Sequence, residues 1–263
     1  MHSSRLCVRR DFLLPEMARW MGIFRESPTR LHRKLWEYAA IAEALEARGM
    51  LEAGRKGLGF AVGSEPLADA FASRGVEVLA TDQPSSEGAD HWGESHCTRV
   101  EQLHARAISF PEVFARNVRF QPVDMNALPD DLGRFDFLWS SCSMEHLGDL
   151  EAGLRFVENA MTFLAPGGIA VHTTEYNVQS NTDTVFAGTN VIYRMQDIDD
   201  LGRRLEAQGA FLEQVDFDSG SDPEDRHVDQ PPYQSLPHLK LNIDGFASTS
   251  LLLVIRKGIR RED

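Results

Sequence analysis

The sequence predicts an α/β protein, a doubly wound and mostly parallel sheet with helices on both faces. Two observations carry this. From residue 51 onward, short apolar runs alternate with stretches whose apolar residues recur at helical spacing, the pattern of parallel strands joined by crossover helices. The residues just beyond the early strands are small or acidic, and the carboxyl ends of such strands are where a sheet of this kind forms its ligand crevice.

The first 50 residues read as a helical cap. Met17, Trp20, Met21 and Phe24 share one helical face; Leu31, Leu35, Tyr38, Ala42 and Leu45 form a second stripe. Ser27-Pro28 separates the two helices, and Gly49 is a suitable stop. Residues 51–263 read as one compact unit. Its first strand is 57–62. A helix follows, capped by Ser64, burying Leu67, Ala70 and Phe71 and ending at Gly75. Strands are expected at 76–80, 117–123 and 135–139. Leu150, Leu154, Val157, Met161 and Leu164 mark a helix stopped by Pro166-Gly167-Gly168. A fifth strand at 169–173 precedes a helix on Ile198, Leu201 and Leu205 that ends at Gly209. Strands six and seven fall at 211–217 and 250–256. Two long irregular stretches, 83–98 and 218–245, leave strand ends and are placed to wall the crevice.

Composition narrows the function. The chain has 263 residues and a net charge of −13, from 27 basic and 40 acidic residues. That balance argues against nucleic acid and against anionic membrane surfaces as partners. No apolar run reaches the ~18 residues of a membrane span. Pro15, Glu16 and Arg19 interrupt any signal-peptide core. Cys7, Cys97 and Cys142 are odd in number and include no CxxC pair, so neither a disulfide framework nor a cysteine-based zinc site is expected, and the reading is a reduced, cytoplasmic protein. Oligomeric state is not legible.

The turn after the first strand contains Gly57, Gly59, Phe60, Ala61 and Gly63. The dinucleotide pattern GxGxxG fails in both frames, because its sixth position is Val62 or Ser64. The spacing is instead small-x-small-x-Gly, through Gly59, Ala61 and Gly63. Asp82, with Gln83 beside it, ends the second strand about 20 residues later, where a carboxylate accepts from ribose hydroxyls. Asp124 and Met125 end the third; the acid can accept from an exocyclic amine and the thioether can pack on a base.

This series resembles the class I S-adenosylmethionine-dependent methyltransferases, over roughly residues 51–257. The resemblance implies a Rossmann-like sheet of seven strands in the order 3-2-1-4-5-7-6 with strand 7 antiparallel. It also implies S-adenosyl-L-methionine as cofactor, with Gly59, Phe60, Ala61 and Gly63 at the methionine and ribose, Asp82 and Gln83 at the ribose, and Asp124 with Met125 at the adenine. The LAPGG turn at 164–168 resembles the family's. Two departures are Ala61 in place of the middle glycine and Gly57 where the family often carries an acid near the methionine amine. Trp36 and Glu37 are the candidates for that missing partner.

The fourth strand runs into Ser140, Ser141, Cys142, Ser143, Met144, Glu145 and His146. The two serines are expected to meet the methionine moiety. Methyl transfer is an in-line displacement that chiefly needs alignment and desolvation, and a hydroxyl acceptor must also lose a proton. His146 is the expected general base, with Glu145 beside it; the same pair could equally cap the next helix. Asp222, Glu224, Asp225, His227, Asp229 and His238 are the residues from which a divalent cation site could be built. They lack helical ligand spacing, so no metal is assigned. Tyr176, Tyr193, Tyr233 and Trp92 could stack on an acceptor or could be core. The expected activity is O-methylation of a small polar metabolite, such as a sugar or glycan unit. An NAD(P)-dependent oxidoreductase and a cofactor-binding protein without turnover are the alternatives.

Overall fold

The computed structural model describes residues 4–84, 96–233 and 236–259. In chain order the elements are β1 (Ser4–Leu6), α1 (Pro15–Ile23), α2 (Arg33–Glu46), β2 (Lys56–Phe60), α3 (Leu67–Ala72), β3 (Glu77–Asp82), α4 (Pro111–Asn117), β4 (Val118–Pro122), β5 (Phe135–Ser141), β6 (Gly148–Asp149), α5 (Leu150–Ala160), β7 (Leu164–Asn177), β8 (Ala187–Gly188), α6 (Met195–Ala207), β9 (Ala210–Leu212), β10 (Val215–Asp216), α7 (Pro223–Arg226), β11 (Val228–Asp229), β12 (Lys240–Ile243) and β13 (Phe246–Lys257).

The spine of the sheet is β4-β3-β2-β5-β7-β13. Every neighbouring pair from β4 to β7 is parallel, and β13 runs antiparallel to β7 from Ser248 opposite Asn177 to Arg256 opposite Ile169. This is the expected order through its seventh strand. Beyond it the sheet departs from expectation. The strand anticipated at 211–217 is divided: β9 pairs with β13, whereas β10 pairs in parallel with β1. Strand β1 lies between β10 and β13, antiparallel to the latter through Arg5–Leu252 and Leu6–Leu251. The N-terminal segment, expected to be wholly helical, therefore contributes a strand. Three residues are too few to show a period of two, and Ser4 joins only through tertiary contact, its hydroxyl accepting from Val254 N at 2.9 Å.

Alternation within the central strands sends side chains to two layers. Phe137 and Trp139 of β5 pack with Trp20, Trp36, Leu45 and Phe71 from α1, α2 and α3. Leu138 between them packs on the opposite face with Phe156, Val157, Leu201 and Leu205 of α5 and α6. Gly57 and Gly59 are required by the first of these layers. A Cβ at Gly57 would lie 2.3 Å from the Phe137 ring, and one at Gly59 would lie 2.3 Å from the Trp139 indole.

Other boundaries differ from expectation for local reasons. Helix α3 starts at Leu67 after Pro66, and Ser64 does not cap it. Strand β7 already begins at Leu164, so Pro166-Gly167-Gly168 lies within it, at a register shift against β5 between Phe135 and Phe137. The stretch 218–245 holds α7, β11 and β12. None of the helices among the described residues is long and apolar enough to cross a membrane.

Candidate active site

The tips of β2, β3 and β4 meet around Asp82. Beyond β2 the chain turns through Ala61 at φ 47° and Gly63 at φ 50°, left-handed values that suit glycine and strain alanine. The turn aims Gly63 N–H at Asp82 Oδ2, 3.0 Å away. Cys97 N also donates to Oδ2 at 2.8 Å, and Gln83 N donates to Oδ1 at 2.8 Å. The backbone carbonyl of Asp82 accepts from Val123 N at 2.7 Å, which fixes the end of the third strand. Burial raises the Asp82 pKa, and the three N–H donors oppose it. A carboxylate offers about four acceptor positions. Three N–H donors occupy three of them, and the fourth is on Oδ1, where His96 Nε2 lies 3.7 Å away.

Ala61 and Gly63 are half-buried, and Gln83 and Asp124 are exposed at the same tips. Asp124 folds Oδ1 back onto Asn126 N at 2.8 Å. Three of the expected residues are turned toward the core. The position a Cβ would take at Gly59 faces the Trp139 indole. Phe60 is fully buried, edge-on to Phe156 at 5.1 Å. Met125 is turned into the layer under α5 and α6. Sequence reading overlooked Glu65, which is 4% exposed and accepts from Trp139 Nε1 at 2.5 Å. Burial pushes its pKa up to about 8.

A second polar group lies at the ends of β5 and β7, where β13 begins and the first turn of α2 packs. Glu37 is completely buried. Its Oε2 accepts from Lys34 Nζ at 2.9 Å and Ser141 Oγ at 3.1 Å; its Oε1 accepts from Ser250 Oγ at 2.5 Å and Cys142 Sγ at 3.1 Å. Burial acts to raise its pKa, but Lys34, Arg33 and the Ser250 hydroxyl outweigh it and hold the value at about 2. Arg33 pairs with Glu175, which also accepts from Ser248 Oγ at 2.7 Å. Glu37, the candidate for the methionine amine, lies beside the end of β5, and Lys34, Ser141, Ser250 and Cys142 all donate to its carboxylate. Trp36 is corrected: it points into the core, donating Nε1–H to Asp11 Oδ2 at 2.8 Å. Consecutive helical residues are about 100° apart, so the two side chains cannot share a target. Ser140 is also corrected, being fully buried with its hydroxyl 2.8 Å from His172 Nδ1.

Glu145 and His146 follow on a single helical turn, Met144–His146. Glu145 is fully buried; Thr174 Oγ1 donates to Oε2 at 3.0 Å, and among the described residues no hydrogen bond reaches Oε1. Burial raises its pKa. His146 is half-buried, with Nδ1 2.6 Å from Thr189 O. A carbonyl only accepts, so Nδ1 carries the proton and the neutral ring's lone pair lies on Nε2.

The loop acids serve the fold. Asp225 Oδ1 accepts from Arg9 N at 2.7 Å, and Asp229 is 2.7 Å from His238 Nδ1. Among the described residues, the three metal-type donors that converge are Cys142, Glu145 and Glu175, with ligand atoms within 4.8 Å of one another. Tyr176 stacks on Phe217, Tyr193 is buried, and Tyr233 donates to Asn242 O. Trp92 and most of the stretch 83–98 lie outside the described residues. A shallow depression of about 620 Å³ lined by Arg48, Phe211, Glu213 and Arg256 sits at the opposite end of the sheet from the parallel strands' carboxyl ends.

No protein-family model and no curated relative matches the chain. Solved structures do match. One is a putative sarcosine dimethylglycine methyltransferase from Galdieria sulphuraria, 14% identical with TM-score 0.53, covering 87% of this chain and 85% of its own. Another is magnesium protoporphyrin IX methyltransferase from Synechocystis PCC 6803, 14% identical with TM-score 0.53, covering 95% and 98%. A third is the cyclase SpnF, 16% identical with TM-score 0.54, covering 93% and 95%. The fold is that of the class I S-adenosylmethionine-dependent methyltransferases.

Proposed function

We propose that the chain binds S-adenosylmethionine and transfers its methyl group to an oxygen of a small polar acceptor, such as a sugar or glycan unit. The observation that carries this reading is the junction at Asp82, which draws the first three strand tips of a methyltransferase fold together and keeps an acceptor position on its carboxylate. When bound, the cofactor supplies a methyl carbon activated by a sulfonium. Asp82 would hold the ribose, while Gln83 and Asp124 would flank the adenine end, both being polar and exposed at the tips. The left-handed turn at Ala61 and Gly63 would let the backbone pass close to the methionine portion.

His146 takes the acceptor proton on Nε2 as the oxygen–methyl bond forms and the sulfur–methyl bond breaks. The hydrogen bond from Nδ1 to Thr189 orients the ring for that task. Glu145, next to it, is buried, and among the described residues no hydrogen bond reaches its Oε1. An oxidoreductase reading is less well supported, because dinucleotide-binding sheets are mostly parallel in the order 3-2-1-4-5-6, whereas β13 runs antiparallel beside β7.

The test is calorimetric titration with S-adenosylhomocysteine and with NAD, followed by methyl-transfer assays over a panel of sugars and amines. Binding of the first nucleoside alone is expected, with His146→Asn leaving affinity within a few-fold and lowering turnover by ~10²-fold or more. Binding of NAD alone would overturn the reading. Binding without methyl transfer to any acceptor would leave the second reading, a cofactor-binding protein without this turnover.

A further inference from the structure

The group at the ends of β5 and β7 is built around an unmet need. Glu37, Glu145 and Glu175 bring three carboxylates together, and Arg33 and Lys34 bring two cations. Glu37 and Glu175 are matched by these cations. Glu145 is fully buried; among the described residues no hydrogen bond reaches its Oε1, while Thr174 Oγ1 donates to its Oε2. A buried carboxylate oxygen left unmatched costs free energy, and a tight cluster of donors around such an atom points to something that binds there. Cys142 stands beside it. Its backbone is held at φ 45° by two bonds to β7: its N–H donates to Thr173 O at 3.1 Å and to Thr173 Oγ1 at 3.0 Å. That conformation is unfavourable for a residue with a Cβ. Donor atoms of Cys142, Glu145 and Glu175 then fall within 4.8 Å of one another.

We propose that Cys142, Glu145 and Glu175 form a binding site for one borderline divalent cation of the zinc class. One sulfur and two carboxylate oxygens are a donor set for that class and not for magnesium or calcium, which take oxygen ligands. The charge favours a divalent ion. Three carboxylates against two basic side chains leave one negative charge, the bound thiolate adds a second, and a divalent cation cancels both. On binding, the Cys142 S–H proton, donated to Glu37 Oε1 at 3.1 Å, leaves to solvent and the sulfur–metal bond replaces it, while Glu37 keeps Lys34, Ser141 and Ser250 as donors. Glu175 keeps its bonds to Arg33 and Ser248 and ligates through a remaining lone pair. Three protein ligands leave a fourth position for water or an acceptor atom, as in open zinc sites. The loop acids of 218–245 take no part. The site stands or falls independently of the nucleoside.

The experiment is titration of the purified, metal-stripped full chain with Co²⁺, followed by absorption, with Zn²⁺ as competitor. The expected result is a thiolate-to-cobalt charge-transfer band that saturates at one equivalent and is abolished by Zn²⁺. Cys142→Ser removes the band, and the isosteric Glu145→Gln weakens affinity about tenfold or more; Cys97→Ser leaves both unchanged. Circular dichroism checks that each variant is folded, and if Cys142→Ser is not, the wild-type titration and Glu145→Gln decide. Absence of a saturable band in the wild type, or its persistence in folded Cys142→Ser, would overturn the assignment, as would undiminished affinity in folded Glu145→Gln.

Discussion

The amide of Gly63 donates to the carboxylate of Asp82 across 3.0 Å, tying the turn after β2 to the tip of β3. The same carboxylate takes Gln83 N and Cys97 N. Asp82 is therefore a structural junction as well as the proposed ribose contact.

Asp82→Ala should lower both cofactor affinity and stability. Truncation leaves three backbone N–H groups without their acceptor, at a cost of about 2–4 kcal/mol for the set. Urea denaturation would measure it. A variant as stable as the wild type would show that water replaces the carboxylate.

Gly59→Ala tests what the glycine is for. Its Cβ would meet the Trp139 indole at 2.3 Å, and overpacking in a filled core costs about 1–3 kcal/mol or more. The expected outcome is a thermal midpoint several degrees lower with or without nucleoside. A loss of nucleoside affinity at unchanged stability would instead return Gly59 to the ligand-facing role.

Glu65 gives stability an alkaline limb. Its native pKa of about 8 lies above its ordinary value of 4.5. The unfolded chain therefore releases this proton first, and the stabilising contribution is complete below about 4.5 and lost as pH rises toward and through about 8. Glu65→Gln should flatten stability over that window, by on the order of a few kcal/mol, in denaturant titrations run at a series of pH values. An unchanged slope would place the charge elsewhere.

His32 gives an acid limb. Burial, then the charge of His238, lowers its pKa to about 4. The unfolded chain takes up the proton first as pH falls, so stability declines between about 6.5 and about 4. His32 also caps α2, Nδ1 accepting from Lys34 N at 3.1 Å. His32→Asn keeps a capping acceptor and should shallow this decline without abolishing it, because buried His172 is likewise lowered to about 4. Stability measured across the acid range would reveal it; an identical decline in the variant would count against the assignment.

Periodicity and residue type are local properties, and they sufficed for what is local. Short apolar runs located β2, β3, β5, β7 and β13, alternation located β4, and acids at strand ends singled out Asp82 and Asp124. Fold class followed from sequence alone. What a side chain faces depends on its partners, and only packing decided that. Gly59 makes room for an indole 80 residues away, β1 finds β13 from the far end of the chain, and Trp36 and Glu37 part company because the helix turns between them. Cys142, Glu145 and Glu175 carry no spacing signal, since β7 brings the third donor to the other two.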